Sequence, residues 1–111
     1  MEIMGMPKIN IAEKVISGAN ILRVQTGTNC PQGGDSGHGG RTILRLRDEA
    51  GTAMQAKLNE GQSVDISSIE IIFGGDSECD TFIEALEFAL TTLKAQRIAN
   101  DFLSEEEIDF R

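Results

Sequence analysis

Apolar and polar residues alternate with a period of two through much of the chain, then change to a helical period near residue 80. In 19–25, Leu22 and Val24 fall on one side and Arg23 and Gln25 on the other, the signature of a half-buried strand. Residues 41–47 repeat it, with Thr42, Leu44 and Leu46 facing one way and Arg41, Ile43, Arg45 and Arg47 the other. Asp48-Glu49-Ala50-Gly51 reads as a turn, and 52–58 as a returning strand whose apolar side is Met54, Ala56 and Leu58. Asn59-Glu60-Gly61-Gln62 is a second turn signal. The β-branched run 64–73 changes parity at Ser67-Ser68: Val64 and Ile66 match before it, Ile69, Ile71 and Phe73 after it. That predicts a bulge or a break. Residues 8–11 leave two readings open, an extra edge strand or part of a loop.

Between 80 and 98, Phe82, Leu86, Ala89, Leu90 and Leu93 recur at i, i+4, i+7, i+8 and i+11, one apolar stripe of an amphipathic helix. Ser77 or Asp80 is the expected N-cap; Glu78, Asp80 and Glu84 suit the positive end of the dipole, and Lys94 and Arg97 lie near the other end. Ile83 and Phe88 widen the stripe beyond what covering one sheet face requires, which points to a homo-oligomer interface. Beyond the helix, Glu105, Glu106, Glu107 and Asp109 crowd the terminus, and Ser104 with Glu107 has the spacing of a capping box. Docking through Phe102, Leu103, Ile108 and Phe110, or a frayed acidic end, both remain open. The expectation is a single α+β domain over 1–111: an N-terminal segment (1–18), then a mainly antiparallel sheet of four to five strands (19–73) carrying a glycine-rich loop (27–41). The sheet is packed against one long C-terminal helix (79–98), and an acidic tail (99–111) follows.

Composition narrows the function. With 111 residues, 40% hydrophobic and 25% charged, the chain has enough apolar content for one core and is not broadly disordered. No apolar run approaches the ~20 residues of a membrane-spanning helix. Residues 1–8 show no basic stretch leading into an apolar one, so a cytoplasmic location is expected. Ten Lys and Arg against eighteen Asp and Glu give a net charge of −8, which argues against a nucleic-acid polymer as partner. Cys30 and Cys79 lack CxxC spacing and there is one histidine, so free thiols are expected and neither a structural metal nor a cofactor is.

The candidate chemistry lies in the loop. Six of the twelve glycines fall within 27–41, far more than a hairpin turn needs. Such density allows close backbone approach and lets successive N–H groups form an anion-binding nest. Thr28, Asn29, Asp35, Ser36, His38 and Arg41 are interleaved with the glycines. The string Gly-Asp-Ser-Gly at 34–37 copies the surroundings of a serine-protease nucleophile, but the only histidine stands two residues from Ser36 and no triad can be assembled from it. A strand rather than a helix follows the loop, which excludes a dinucleotide fingerprint, and the Gly-Lys-Ser/Thr of a P-loop is absent. Gly-Gly-Asp-Ser recurs at 74–77, where a strand runs into the expected helix N-terminus. Strand parity also puts Arg23, Arg41, Arg45, Arg47 and Lys57 on one sheet face, with cross-strand pairing to Asp48, Asp65 or Glu70 as the plainer role for each arginine.

The segment from Gly27-Thr28-Asn29 through Gln32-Gly33-Gly34-Asp35-Ser36-Gly37-His38-Gly39-Gly40-Arg41-Thr42, followed by strands and then Phe73-Gly74-Gly75-Asp76, resembles small phage anti-Thoeris sponge proteins over roughly residues 17–98. The resemblance implies a compact oligomer that sequesters a cyclic ADP-ribose-type or cyclic nucleotide signal without cleaving it. The expected function is therefore non-enzymatic binding of a small anionic, nucleotide-like ligand, with Thr28, Asn29, Asp35, His38, Arg41 and Arg45 lining the site. Two alternatives stand beside it. One is a metal-assisted hydrolase using Asp35, His38, Asp76 and Cys30. The other is a protein-interaction module built on the C-terminal helix and tail.

Overall fold

The structure, a computed structural model, describes residues 8–31 and 39–101. Its elements in chain order are β1 (Ala12–Ser17), β2 (Ile21–Thr28), β3 (Arg41–Ala50), β4 (Met54–Ala56), β5 (Val64–Ile66), β6 (Ser68–Gly74) and α1 (Asp76–Asn100). The α+β class is as expected. A four-stranded antiparallel sheet has the order β1-β2-β3-β6, and β4 and β5 form a separate two-stranded sheet. The chain divides into two compact units, Met1–Cys79 and Asp80–Arg111; the first holds both sheets and the first turn of α1.

Register explains the sheet's two faces, because side chains alternate along each strand and opposed residues share a face. One row runs Lys14, Val24, Leu46, Ile69, and the next Ala12, Thr26, Leu44, Ile71. This is the apolar face. Leu22, Val24, Leu44, Leu46, Ile69 and Phe73 on it are half-buried, and Ile71 is exposed. On the opposite face Glu13, Gln25, Arg45 and Glu70 stand in one row. The parity read from 19–25 and 41–47 thus carries into the fold, with both strands longer than the pattern implied.

Three assignments differ in detail. The first strand is Ala12–Ser17, after the 8–11 segment singled out above, and all six of its residues are exposed. The stretch 52–58 contributes only Met54–Ala56, which pairs with β5 and not with β3; β3 already has β2 on one side and β6 on the other. Lys57 consequently lies outside the four-stranded sheet and does not share the face of the arginines. The turn expected at 48–51 begins later: Asp48, Glu49 and Ala50 stay in β3, and the register shifts so that Ile21 faces Ala50 while Leu22 faces Asp48, which leaves Glu49 as the extra bulge residue. Asp48 then caps the corner by accepting a hydrogen bond from Thr52 N at 2.8 Å.

The expected break in 64–73 falls at Ser67, between β5 and β6. Its carbonyl is not wasted, since Asp48 N donates to Ser67 O at 2.7 Å. The helix starts with Asp76 and Glu78 in its first turn and has Arg97 in its last, charges of the sign each end favours. Cys79 N donates to Gly75 O at 3.3 Å, so the first helical bond makes Gly75 the N-cap, in place of Ser77 or Asp80. Gly75 has φ +123°, a conformation open to glycine and strained for other residues.

A candidate anion site at the mouth of the glycine-rich loop

The two strands that carry the loop meet at Thr28 and Thr42, which face each other in register. Their hydroxyls are 2.8 Å apart, and Thr28 Oγ1 also donates to Arg41 O at 3.0 Å while accepting from Cys30 N at 3.2 Å. One hydroxyl proton cannot serve two bonds. If Thr28 donates to the carbonyl, Thr42 must donate to Thr28, and the pair is oriented as a chain. Just above it, Asn29 N donates to Arg41 O at 3.2 Å and Arg41 N to Asn29 Oδ1 at 2.8 Å. These bonds close the loop at its root.

The third side of the mouth is the turn into α1. Gly75 N donates to Gly40 O at 2.7 Å, which joins the end of the loop to the helix N-cap. A Cβ on Gly40 would stand 2.6 Å from Cys30 Sγ and 2.9 Å from Asp76 Oδ1, so this position has no room for a side chain. Thr42 and Cys79 are each only 5% exposed, and Gly40 is buried as well. The deepest burial among the described residues is therefore at the loop root, among polar groups, and not beneath the aliphatic face of the sheet.

Burial pushes the Cys30 thiol above its ordinary value, and the neighbouring Asp76 carboxylate adds to the rise, against hydrogen bonds with Thr28 and Thr42 that pull it down. Such a thiol stays protonated near neutral pH and is a poor nucleophile. Asp76 Oδ1 is shielded from solvent.

Arg41 leaves β3 on the face opposite Thr28 and Thr42 and flanks the loop end from there. Its Nη1 donates to Gly39 O, and to Gly40 O at 3.2 Å. The guanidinium passes over Gly74, which faces Arg41 in the β3–β6 register. Among the described residues no carboxylate comes within salt-bridge reach of Arg41. The other arginines of that face differ. Arg23 pairs with Glu13 at 2.9 Å and Glu49 at 2.7 Å, Arg45 with Glu70 at 3.3 Å, and Arg47 with Glu49 at 4.0 Å. Hydrogen bonds from Gln25 and then Arg23 hold the Glu13 carboxyl below its usual range.

Of the six residues expected to line a site, Thr28 and Asn29 meet the Arg41 backbone at the mouth, while the Arg41 guanidinium contacts Gly39 and Gly40. Arg45 sits four residues further along β3, ~14 Å away at ~3.4 Å per residue. There it lines a shallow depression of about 240 Å³ with Gln25, Arg47 and Glu70. Asp35 and His38 lie outside the described residues. Cys30, named above only for the hydrolase alternative, lies there too, and Gly40, Thr42, Gly75 and Cys79 complete the mouth without having been named as site residues. The usable signal was the pair of threonines flanking the loop, together with the second Gly-Gly at 74–75. Among the described residues no three of His, Cys, Asp and Glu converge into a metal-holding group. Comparison with protein-family models, curated proteins and solved structures finds no match to this chain.

Proposed function

We propose that the protein binds and sequesters a small anionic, nucleotide-like ligand without cleaving it, in the manner of the phage sponge proteins it resembles. The observation that carries this reading is the state of Arg41. Its charge is positioned by backbone carbonyls at the loop mouth, while Arg23, Arg45 and Arg47 are each matched by glutamates. A guanidinium bound in this way keeps N–H donors for a phosphate, and charge-assisted bonds of that kind are worth about 1.5–3 kcal/mol. Asn29, Thr28 and the backbone N–H groups of the loop would serve ribose hydroxyls and phosphate oxygens. Arg45, already shared with Glu70, would act at longer range. A homo-oligomer fits the same reading, because Leu86, Leu90 and Leu93 on the helix are exposed in the single chain.

Calorimetry against a panel of cyclic ADP-ribose-type molecules, cyclic dinucleotides and nucleoside diphosphates tests the proposal. Wild-type protein should bind at least one member stoichiometrically and return it chemically intact. Arg41→Ala should weaken that binding tenfold or more, and Arg45→Ala by less. Absence of binding across the panel, or binding indifferent to Arg41→Ala, removes the proposal; a ligand recovered hydrolysed would favour the metal-assisted alternative.

A further inference from the structure

The chain has two cysteines, distant in sequence, and the fold brings them to the same few atoms. Thr28 Oγ1 lies 3.6 Å from Cys79 Sγ and 2.8 Å from Thr42 Oγ1, and Thr42 Oγ1 lies 3.9 Å from Cys30 Sγ. Gly75 O accepts from Cys30 Sγ at 3.6 Å and from Cys79 N at 3.3 Å. Both thiols are free. The two sulfurs thus flank one hydroxyl pair, and Gly75 O accepts from the Cys30 thiol and from the Cys79 backbone N–H. A rotamer change at Cys30, the more exposed of the two, swings its sulfur within a cluster that already holds its partner.

We propose that Cys30 and Cys79 form an intramolecular disulfide under sustained oxidation, a latch that ties the root of the glycine-rich loop to the first turn of α1. The oxidant is a peroxide. The Cys30 thiolate attacks one peroxide oxygen, the O–O bond breaks, and the other oxygen leaves as water after taking a proton, giving a sulfenic acid at Cys30. The Cys79 sulfur then attacks the sulfenic sulfur. The S–S bond forms as the S–O bond breaks, and the hydroxyl leaves as water with the proton from the Cys79 thiol. In total, two thiols and one hydrogen peroxide give one disulfide and two waters, with two electrons passing from the thiols to the peroxide.

Burial and Asp76 keep the Cys30 thiolate scarce near neutral pH, so the latch closes slowly and responds to the prevailing redox state, unlike a fast peroxide sensor. Once closed it spans a chain loop of about fifty residues, a length at which cross-linking removes substantial freedom from the unfolded chain. The latch holds Thr28, Asn29 and Gly40 in place with or without a ligand, so it stands apart from the anion-binding proposal.

The test uses the full chain, reduced, freed of reductant, treated with hydrogen peroxide, then unfolded in an alkylating agent for intact mass and peptide mapping. The expected result is a monomeric chain short of two hydrogens, with both thiols lost together and residues 30 and 79 in one cross-linked peptide pair. The melting temperature should rise by something on the order of 10 °C. Cys30→Ser and Cys79→Ser should each leave a single thiol that ends as a sulfinic acid or an intermolecular disulfide. The proposal is overturned if wild-type Cys30 proceeds to sulfinic acid while Cys79 still alkylates, or if the only disulfide formed joins two chains. The wild-type result decides this even where a serine variant folds poorly.

Discussion

At the scale of single residues, the fold asks for unusual backbone or unusual closeness at a few places, and each gives a measurable consequence. Asn59 and Glu60 both have positive φ, +53° and +61°, and Gly61 N donates to Leu58 O at 2.9 Å across them. That is the mirror-image turn that normally takes Asn-Gly. Glutamate in the second place carries a left-handed penalty of about 1–2 kcal/mol, and glycine returns part of that gain through a freer unfolded chain. Glu60→Gly should therefore raise stability by ~0.5–1 kcal/mol in urea melts; a loss would mean that the Glu60 side chain makes a contribution larger than the strain. Gly40→Ala should act the other way, lowering stability by ~2 kcal/mol or more, because the new methyl displaces Cys30 Sγ and Asp76 Oδ1 from the most buried part of the site. The Cys30 thiol supplies the pH dependence. Its folded pKa lies above the ordinary 9.0, so the unfolded chain deprotonates first. The contribution is complete below pH 9.0 and is lost as pH rises from there through the folded value. Under reductant, the wild-type advantage over Cys30→Ser should shrink across that alkaline window and stay constant below it.

At the scale of elements, the ion pairs of the polar sheet face decide little of the stability and much of the pairing. Arg45 and Glu70 face each other across β3 and β6, both well exposed, at 3.3 Å. Exposed pairs of this kind contribute ~0.2–1 kcal/mol. A double-mutant cycle on Arg45→Ala and Glu70→Ala should return a coupling in that range and fall further with added salt; a larger value would mark the pair as part of something more than cross-strand matching. The same elements show what a sequence pattern can carry. Residues 22–25 and 44–47 alternate cleanly because one face of each strand is half-buried, so burial wrote the pattern. β1 has six exposed positions, and a strand with no buried face leaves no alternation to read. In 54–58 the parity was legible and the partner was not, since which strand edge is free depends on where β6 docks. The loop mouth divides the same way. Thr28, Asn29 and Arg41 were visible because they flank the glycines in sequence. The approach of Cys79 to Cys30 was not, because only the β3–β6 register, with Arg41 opposite Gly74, brings the start of α1 to the loop.

At the scale of the molecule, the distribution of burial bears on whether the chain works alone. Among the described residues no large side chain is fully buried. In the sheet unit Ile16 is 48% exposed and Ile72 57%, and on the helix Leu93 is 61% exposed and Phe88 72%. A few stranded rows with one apolar face are marginal until that face is covered, and a helix draws most of its stability from packing. The homo-oligomer reading therefore makes a thermodynamic prediction as well as a structural one. If burial between copies supplies part of the folding free energy, mass action ties melting to protein concentration. For a dimer, each tenfold increase in concentration adds about 1.4 kcal/mol per pair of chains, enough to raise the melting temperature by a few degrees. Light scattering after size exclusion should give a mass of two or more subunits, and Phe88→Glu and Leu93→Glu should shift it toward the monomer while flattening the concentration dependence. Should the wild type run as a monomer with a concentration-independent melt, the oligomer is gone from the reading. The Arg41 site would still stand or fall on the ligand panel alone, because every residue named in it belongs to the unit Met1–Cys79 of one chain.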